Sequence, residues 1–498
     1  MRAFLIIPMG GKGKRFTRAG YRTYKSFLNI YNGKSIFQNI ITNFNSFDLE
    51  IILIGNSKIL KKYKSEFRNK KIHLLHINNH NKGPIYSIYK SFNQIKEIIK
   101  NEKNIFISYC DINWQWDVKN VKKKIRNKSI IVFTHSGFHP HLEIDKKSDF
   151  CEVKNKNVKR IKEKSSFTND YKHEFLATGC YFIKDLNYLE NFFNNSNDIF
   201  NKKREIYLVS FINFLIKKKF QIYSYLLENF VHLGTPDQYN DYNNWKSIIS
   251  NSNKKINIKN SPTIMLMAGK GKRMKKFNKP KPFLKFNGLP IYRFIFEKFL
   301  SKKKIIITTK KYKKLIKSKK ISVQAINQTN SLLNTLIKSE HILKKNKNYL
   351  LTSCDCFGEF NKTDVLSYNK ADLIIFGFKF SNLQKKLSNS HTQLVVKSNK
   401  IIDICVKEKY KNGLLGHAGF FWIKKPKVFD YLKEFKLTKK YRQLKREALI
   451  DDYFKFLIKK HNVKISFKIL NHYVHIGSEK EFEEYCYWKN FFNAEDRK

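Results

Sequence analysis

Two stretches of this chain carry the same set of residues able to hold a polyphosphate. Ile6–Lys25 reads I-I-P-M-G-G-K-G-K-R-F-T-R-A-G-Y-R-T-Y-K, and Ile264–Pro282 reads I-M-L-M-A-G-K-G-K-R-M-K-K-F-N-K-P-K-P. In each, an apolar run of strand type ends in Gly-x-Gly, where backbone N–H groups can approach an anion without a side chain in the way. The cradle residues are Met9, Gly10, Gly11, Lys12 and Gly13 in the first stretch. In the second they are Met267, Ala268, Gly269, Lys270 and Gly271. Arg15 and Arg273 follow at once, with Lys25 and Lys281 one loop further on. A planar guanidinium suits departing β,γ-phosphates, and a point-like ammonium suits the α-phosphate or an incoming phosphate. Asp111 and Asp355, each after an apolar run ending in cysteine, suit a magnesium ion bridging phosphates. Such a set could grip a triphosphate and assist attack on it by a second phosphate. There two anions must meet, so the barrier is electrostatic and positional.

The elements that must position these residues are written twice. Met9–Arg15 matches Met267–Arg273, Lys25-Ser-Phe-Leu matches Lys281-Pro-Phe-Leu, and Ser108–Asp111 matches Thr352–Asp355. Ile161–Lys164 matches Val406–Lys409, Thr178–Lys184 matches Ala418–Lys424, and Val231–Gly234 matches Val474–Gly477. The six anchors keep their order, with offsets between 240 and 258, the mark of a domain repeated along one chain. The expected division is residues 1–250, a polar linker at 251–262 rich in Asn, Lys and Ser, and residues 263–498.

Strand and helix signals alternate in each copy. In the first, strands are expected at Phe4–Pro8, Ile51–Gly55, His73–Ile77 and Ile105–Tyr109. Helices are expected between them at Ser35–Phe44, Ser57–Phe67 and Ile85–Lys100. Such alternation predicts an α/β fold of Rossmann-like type, a mostly parallel sheet flanked by helices, with ligands at the carboxyl ends of the strands. A β-rich half follows (Ser129–Thr134, Ala177–Ile183, Gln221–Leu226), with a helix at Tyr207–Lys218. Each copy closes on an aromatic helix, Pro236–Trp245 and Glu479–Phe492.

At these residues the sequence resembles the sugar-1-phosphate nucleotidyltransferases, whose nucleotide-binding half opens with A-G-x-G-x-R and a P-K lysine. The second copy is similar to that signature almost letter for letter. The first resembles a branch associated with capsule and surface-glycan genes, departing from it at Gly10, where alanine is usual, and Tyr24, where proline is usual. The resemblance implies two tandem GT-A-like domains, each joining an NTP to a sugar 1-phosphate, or a similar phosphorylated building block, with release of pyrophosphate. Magnesium on Asp111 and Asp355 is the implied cofactor. Gly83 in Asn81-Lys-Gly-Pro84 resembles the base-reading loop, whereas the second copy offers Gln328-Thr-Asn-Ser331 without a glycine. Glu163, Lys164 and Gly179, with Glu408, Lys409 and Gly419, match positions that line the sugar pocket; the two glycines equally suit close packing within a strand. Where many members carry a second metal-binding Asp, this chain has His232 and His475. Imidazole is a poor magnesium ligand, which leaves a single carboxylate, a phosphate contact or plain core packing as the readings of those positions.

Composition sets bounds. Seven scattered cysteines without a Cys-x-x-Cys pair are those of reduced thiols, and no second pair completes a zinc set around Cys354 and Cys356. The absence of a membrane-length apolar run and of a secretory pattern leads to the expectation of a cytoplasmic protein. The net charge of +59, from 99 basic and 40 acidic residues, could serve nucleic-acid binding. Its even spread along the chain instead matches a composition rich in Lys, Asn, Ile and Phe, so no specific nucleic-acid partner is expected. Three further readings stand beside the enzyme. One copy could be catalytic and the other regulatory or scaffolding, since Tyr24 weakens the first and the missing loop glycine the second. The chain could be a basic nucleic-acid-binding protein. A glycosyltransferase would want Asp-x-Asp, which Cys354-Asp-Cys356 and Cys110-Asp-Ile112 do not supply.

Overall fold

The computed structural model describes the chain except residues 32, 64, 66–70, 169, 202–204, 270–276, 278, 362, 364, 366–367, 369, 388–390, 399, 445, 461 and 496–498. It divides into two compact units, Met1–Lys246 with Tyr487–Lys498, and Ser247–Cys486. Both are mixed α/β, the class expected from the alternation of apolar runs and amphipathic segments.

In the first unit the main sheet is built from β1 (Arg2–Met9), β2 (Asp48–Gly55), β3 (Ile72–His76), β4 (Ile105–Ser108), β5 (Ile130–His135), β6 (Phe150–Lys154), β7 (Asn157–Lys162), β8 (Phe175–Ile183) and β9 (Tyr223–Leu226). Their order is β3-β2-β1-β4-β8-β5-β9-β7-β6. The first four are mutually parallel, β8 runs antiparallel to both β4 and β5, and β9 is parallel to β5. β1 pairs with β2 in register from Arg2 opposite Asp48 to Met9 opposite Gly55, so the turn leaves the sheet at the carboxyl ends of its central strands. Those strands are apolar on both faces because helices cover them. Ile85, Ile88, Ile95 and Ile99 pack with Phe4, Ile6, Ile52 and Ile54 in one core.

The second unit repeats this order. Its strands are β10 (Thr263–Met267), β11 (Lys304–Thr309), β12 (Ile321–Ile326), β13 (Tyr349–Ser353), β14 (Leu373–Phe378), β15 (Gln393–Lys397), β16 (Lys400–Cys405), β17 (Leu415–Ile423) and β18 (Ile465–Ile469). They run β12-β11-β10-β13-β17-β14-β18, with β15 pairing with β16 and β17. Ile264, Leu266, Ile305, Ile307 and Leu351 belong to its core.

Three local differences from the sequence reading have physical causes. The helix expected over Ile85–Lys100 is two, Pro84–Lys90 and Phe92–Ile99, broken at the buried Ser91. The second unit breaks likewise at Ser339, between Leu332–Lys338 and Glu340–Lys344. The Ser339 hydroxyl donates there to Thr335 O (2.6 Å) and Leu336 O (3.2 Å), competing with the helix's own bonds. The helix expected over Ser57–Phe67 is observed at Ser57–Lys62, and residues 64, 66 and 67 lie outside the described residues. Within the polar segment 251–262, Ile256–Ile258 forms a short strand parallel to Phe299–Ser301. Both of its isoleucines are buried. Among the described residues no helix is long and apolar enough to cross a membrane.

Candidate active site

In the first unit the chain leaves β1 at Met9 and turns through Gly10, Gly11 and Gly13 into a short helix, Lys14–Arg18. Gly11 forms a parallel bridge with His80, whose N–H donates to Gly10 O (3.1 Å). Lys12 and Arg15 are exposed beside the turn. The Tyr24 hydroxyl donates to Met9 O (3.0 Å) and Gly11 O (3.1 Å), tying the following loop to the turn. Lys25 then opens a 3-10 turn, Lys25–Phe27, with its ammonium 2.6 Å from Asp111 Oδ2.

Asp111 lies just past β4, before a short strand Ile112–Gln115 that runs antiparallel to Asn229–His232, with Ile112 opposite His232. Leu233 N–H donates to Asp111 O (2.8 Å). A Cβ on Gly234 would lie 2.9 Å from Asp111 Oδ2, so this glycine leaves room for the carboxylate. Burial opposes both charges of the pair, and their mutual attraction outweighs it. The Lys25 pKa is raised, and Asp111 lies below the ordinary aspartate value. Burial also pushes His232 down to about 4 against the upward pull of Asp111, so its imidazole is neutral at pH 7.

The remaining candidates of the first unit fall in three places. Gly83 precedes the helix Pro84–Lys90 and sits against Ile206, whose N–H donates to Lys82 O (2.9 Å). Glu163 and Lys164 occupy the turn after β7; Lys164 donates from its backbone to Asp149 Oδ1 (2.9 Å) and from Nζ to Tyr207 (2.9 Å). Gly179 lies in β8 beneath the ring of Tyr109, where any Cβ would run into the ring.

The second unit assembles the same parts from different residues. Lys270, Gly271 and Arg273 lie outside the described residues. Gly269 bridges Thr329 as Gly11 bridges His80, and Thr329 N–H donates to Ala268 O (3.1 Å). Pro280, at φ −58° and ψ 138°, holds the backbone that Tyr24 holds at −64° and 139°. Lys281 Nζ is 2.6 Å from Asp355 Oδ2 and donates to Gly477 O (3.3 Å). In place of a base-loop glycine, Ser331 caps the helix Leu332–Lys338, and the Thr329 hydroxyl meets that of Thr335 (2.6 Å).

A cavity of about 930 Å³ opens over these residues, with Met267, Ala268, Gly269, Lys281, Asp355 and Gly419 on its wall. Gln393 clamps the neighbouring turn by donating to Glu408 O (2.9 Å) and Lys409 O (3.1 Å), while the Glu408 carboxylate pairs with Lys411 (2.8 Å). From that turn Lys407 reaches the cavity wall; Glu408 and Lys409 do not line it. The cavity also takes in residues that sequence reasoning missed: His391, and His417 with its ion-pair partner Asp451. A faint sequence signal exists for His417 alone, a histidine where the matched first-copy position is Ala177. Ser353 stands where the first unit has Tyr109, so over Gly419 there is a small hydroxyl, not a ring.

For magnesium, the donor set fits one ion held by a single carboxylate, Asp111 or Asp355, with phosphate and water completing its shell. It does not fit a second ion, since the side chains beside these aspartates are the imidazoles of His232 and His475, which are poor magnesium ligands.

No protein-family model matches the chain, and no curated protein matches it. Solved structures do. The nucleoside-diphosphate-sugar pyrophosphorylase from Vibrio cholerae RC9 is 17% identical with a TM-score of 0.39, over 48% of this chain and 98% of its own. The CTP:phosphocholine cytidylyltransferase from Streptococcus pneumoniae is 16% identical with a TM-score of 0.38, over 48% and 97%. The inositol-1-phosphate CTP transferase from T. maritima is 12% identical with a TM-score of 0.37, over 48% and 91%.

Proposed function

We propose that this chain is a nucleotidyltransferase that joins an NTP to a sugar 1-phosphate, or a similar phosphorylated small molecule, and releases pyrophosphate. The observation that carries the reading is the Lys–Asp ion pair, 2.6 Å in both units, set beside the turn that leaves the central strand. In the reaction an acceptor phosphate oxygen bonds to the α-phosphorus, and the bond to the α,β-bridging oxygen breaks to release pyrophosphate. The backbone N–H groups of the turn hold the triphosphate. Arg15, and Arg273 in the other copy, neutralise the leaving group. Lys25 and Lys281, fixed by their aspartates, lower the repulsion between the two phosphates. Magnesium on Asp111 or Asp355 supplies further charge neutralisation when bound.

We assign the copies to residues 1–250 and 263–498, joined by 251–262, and the product to the precursors of a surface polysaccharide. The last point rests on the resemblance carried by Pro8–Lys25. One observation favours an unequal division of labour. Tyr109 covers Gly179 in the first copy, whereas the second keeps an open cavity over Gly419. The second copy is therefore assigned the transfer reaction. The test is pyrophosphate release with each of the four NTPs and a panel of sugar 1-phosphates, for Asp111→Asn and Asp355→Asn made separately. Loss of turnover with Asp355→Asn alone is the expected result. Loss with Asp111→Asn alone reverses the assignment, and full turnover in both variants overturns the mechanism.

A further inference from the structure

Next to the Lys281–Asp355 pair, three side chains from three separate elements converge in the second unit. His475 ends the short strand Tyr473–His475, Glu481 lies in the first turn of the helix Glu479–Glu495, and His391 precedes β15. His475 Nδ1 is 2.7 Å and His391 Nε2 is 2.9 Å from the same oxygen, Glu481 Oε1. The two imidazole rings are 4.9 Å apart between centroids, inclined at 63°. The other oxygen of Glu481 accepts from the Ser478 hydroxyl (2.8 Å). His391 and Glu481 are 4% and 3% exposed, so the cluster lies inside the protein. One ligand atom from each residue falls within 4.8 Å of the other two, and this is the one such His/Cys/Asp/Glu group among the described residues.

We propose that His391, His475 and Glu481 bind one divalent transition-metal ion of the zinc class. Two imidazoles and a carboxylate are a common donor set for such ions, and three protein ligands leave a fourth position open. Magnesium, which prefers oxygen, is excluded from the site by the same chemistry. The open position faces the 930 Å³ cavity, since His391 and His475 are both on its wall. Binding at about 2.0–2.2 Å from each donor requires the imidazoles and the carboxylate to part by roughly half an ångström. Ser478 holds the outer carboxylate oxygen and fixes the orientation of Glu481.

The ion would set the tautomer of His475. With the metal on Nδ1 the proton must sit on Nε2, which is 3.9 Å from Asp355 Oδ2. Without it, the bond to Glu481 puts the proton on Nδ1 and leaves a lone pair facing a carboxylate. Metal loading therefore turns His475 into a donor directed at Asp355 and the cavity. The first unit is not built this way. Gln238 stands six residues after His232, as Glu481 does after His475, and its Oε1 accepts from Gly234 N and Thr235 N (3.1 Å each).

The test uses the full-length chain, stripped with chelator and titrated with Co²⁺ in the absence of nucleotide. The expected result is one Co²⁺ per chain, with the intense visible bands of a four- or five-coordinate site, displaced by Zn²⁺. Glu481→Gln and His391→Gln should each weaken uptake at least about tenfold, while Asp355→Asn should leave it unchanged. X-ray absorption at the bound metal's edge in the unaltered protein should count two imidazoles, a readout that does not depend on the variants folding. Absence of Co²⁺ uptake by the unaltered protein overturns the proposal. So does uptake that Asp355→Asn abolishes and Glu481→Gln does not, or an edge spectrum without two imidazoles. None of these outcomes bears on pyrophosphate release, so the site stands or falls apart from the transfer reading.

Discussion

The His80 ring occupies the space that a methyl group would need at Gly10. A Cβ on Gly10 would come within 2.5 Å of His80 Nε2, 2.6 Å of Ser87 Oγ and 2.7 Å of Ile77 Cδ1. His80 is fixed there by Ser87 Oγ (2.9 Å) and by Lys82 N–H donating to its Nδ1 (3.2 Å). The departure from alanine at this position thus belongs with the histidine opposite. In the second unit the pair is Ala268 with Thr329, whose N–H donates to Ala268 O. Gly10→Ala alone should destabilise the protein by about 1–3 kcal/mol through overpacking. Gly10→Ala with His80→Thr should recover part of that loss, since Ser87 Oγ and Ile77 Cδ1 still crowd the methyl. Thermal melts of the two variants decide it, and equal melting of both sinks the explanation.

Gly179 and Gly419 should respond unequally to alanine. Both have positive φ, +87° and +72°, so each carries a backbone penalty of about 1 kcal/mol. At Gly419 the added methyl meets Cys356 Sγ at 3.2 Å, a contact that a small shift relieves. At Gly179 it meets the Tyr109 ring, whose hydroxyl accepts from Leu208 N–H (3.4 Å) and whose own N–H donates to Gly179 O (3.0 Å). Gly179→Ala should therefore cost at least about 1 kcal/mol more than Gly419→Ala in denaturant titrations.

Much of the architecture was legible because buried parallel strands are continuous apolar runs, such as Phe4–Met9 and Ile51–Ile54. The hairpin of β6 and β7 was not. Its strands are half-exposed and Lys-rich, and its turn uses Asn155 and Lys156 at positive φ without the Asn-Gly signal. The lysine and aspartate that meet at 2.6 Å in each unit could be read from local motifs that recur. His391, His417, Asp451 and Glu481 could not, since each lies far along the chain from the glycine turn and has no repeat partner of the same type. Tyr109 falls within a matched anchor, but its bulk matters only beside Gly179, which lies beneath it.

The Lys281–Asp355 pair should be unforgiving of single changes. The side chains are 8% and 15% exposed, so removing one leaves a largely buried charge without its partner. Lys281→Met should destabilise the second unit by about 3 kcal/mol, and the double variant Lys281→Met, Asp355→Leu should be less destabilised than the single one. Lys25→Met should cost less, because that pair is 22% and 18% exposed and partly screened by water. Urea titrations of the unaltered chain, of Lys25→Met, Lys281→Met and Asp355→Leu singly, and of the double variant check the order. A double variant as unstable as the sum of its singles would show that the pair does not couple.

Acid should destabilise the first unit well above the range where carboxylates titrate. His135, His141 and His232 are packed around His139, with ring centroids 5.3–5.7 Å from its own. Burial lowers His135 and His232 to about 4 and His141 to about 3, and it holds His139 well below its ordinary value. The acidic groups facing them are Asp241, 3.9 Å from His141 Nε2, and Asp111 beside His232; the Tyr487 ring covers His139 at 5.5 Å. A depressed imidazole pKa means that the unfolded chain binds protons the folded one excludes. Stability is therefore whole above about pH 6.5 and falls as pH drops towards 4, by about 1.4 kcal/mol per pH unit for each histidine. Chemical denaturation of the full chain at steps between pH 7.5 and 4.5 should show that slope. His139→Phe, which keeps a ring in place but cannot titrate, should reduce the slope by about one histidine's share, and an unchanged slope would remove His139 from the account.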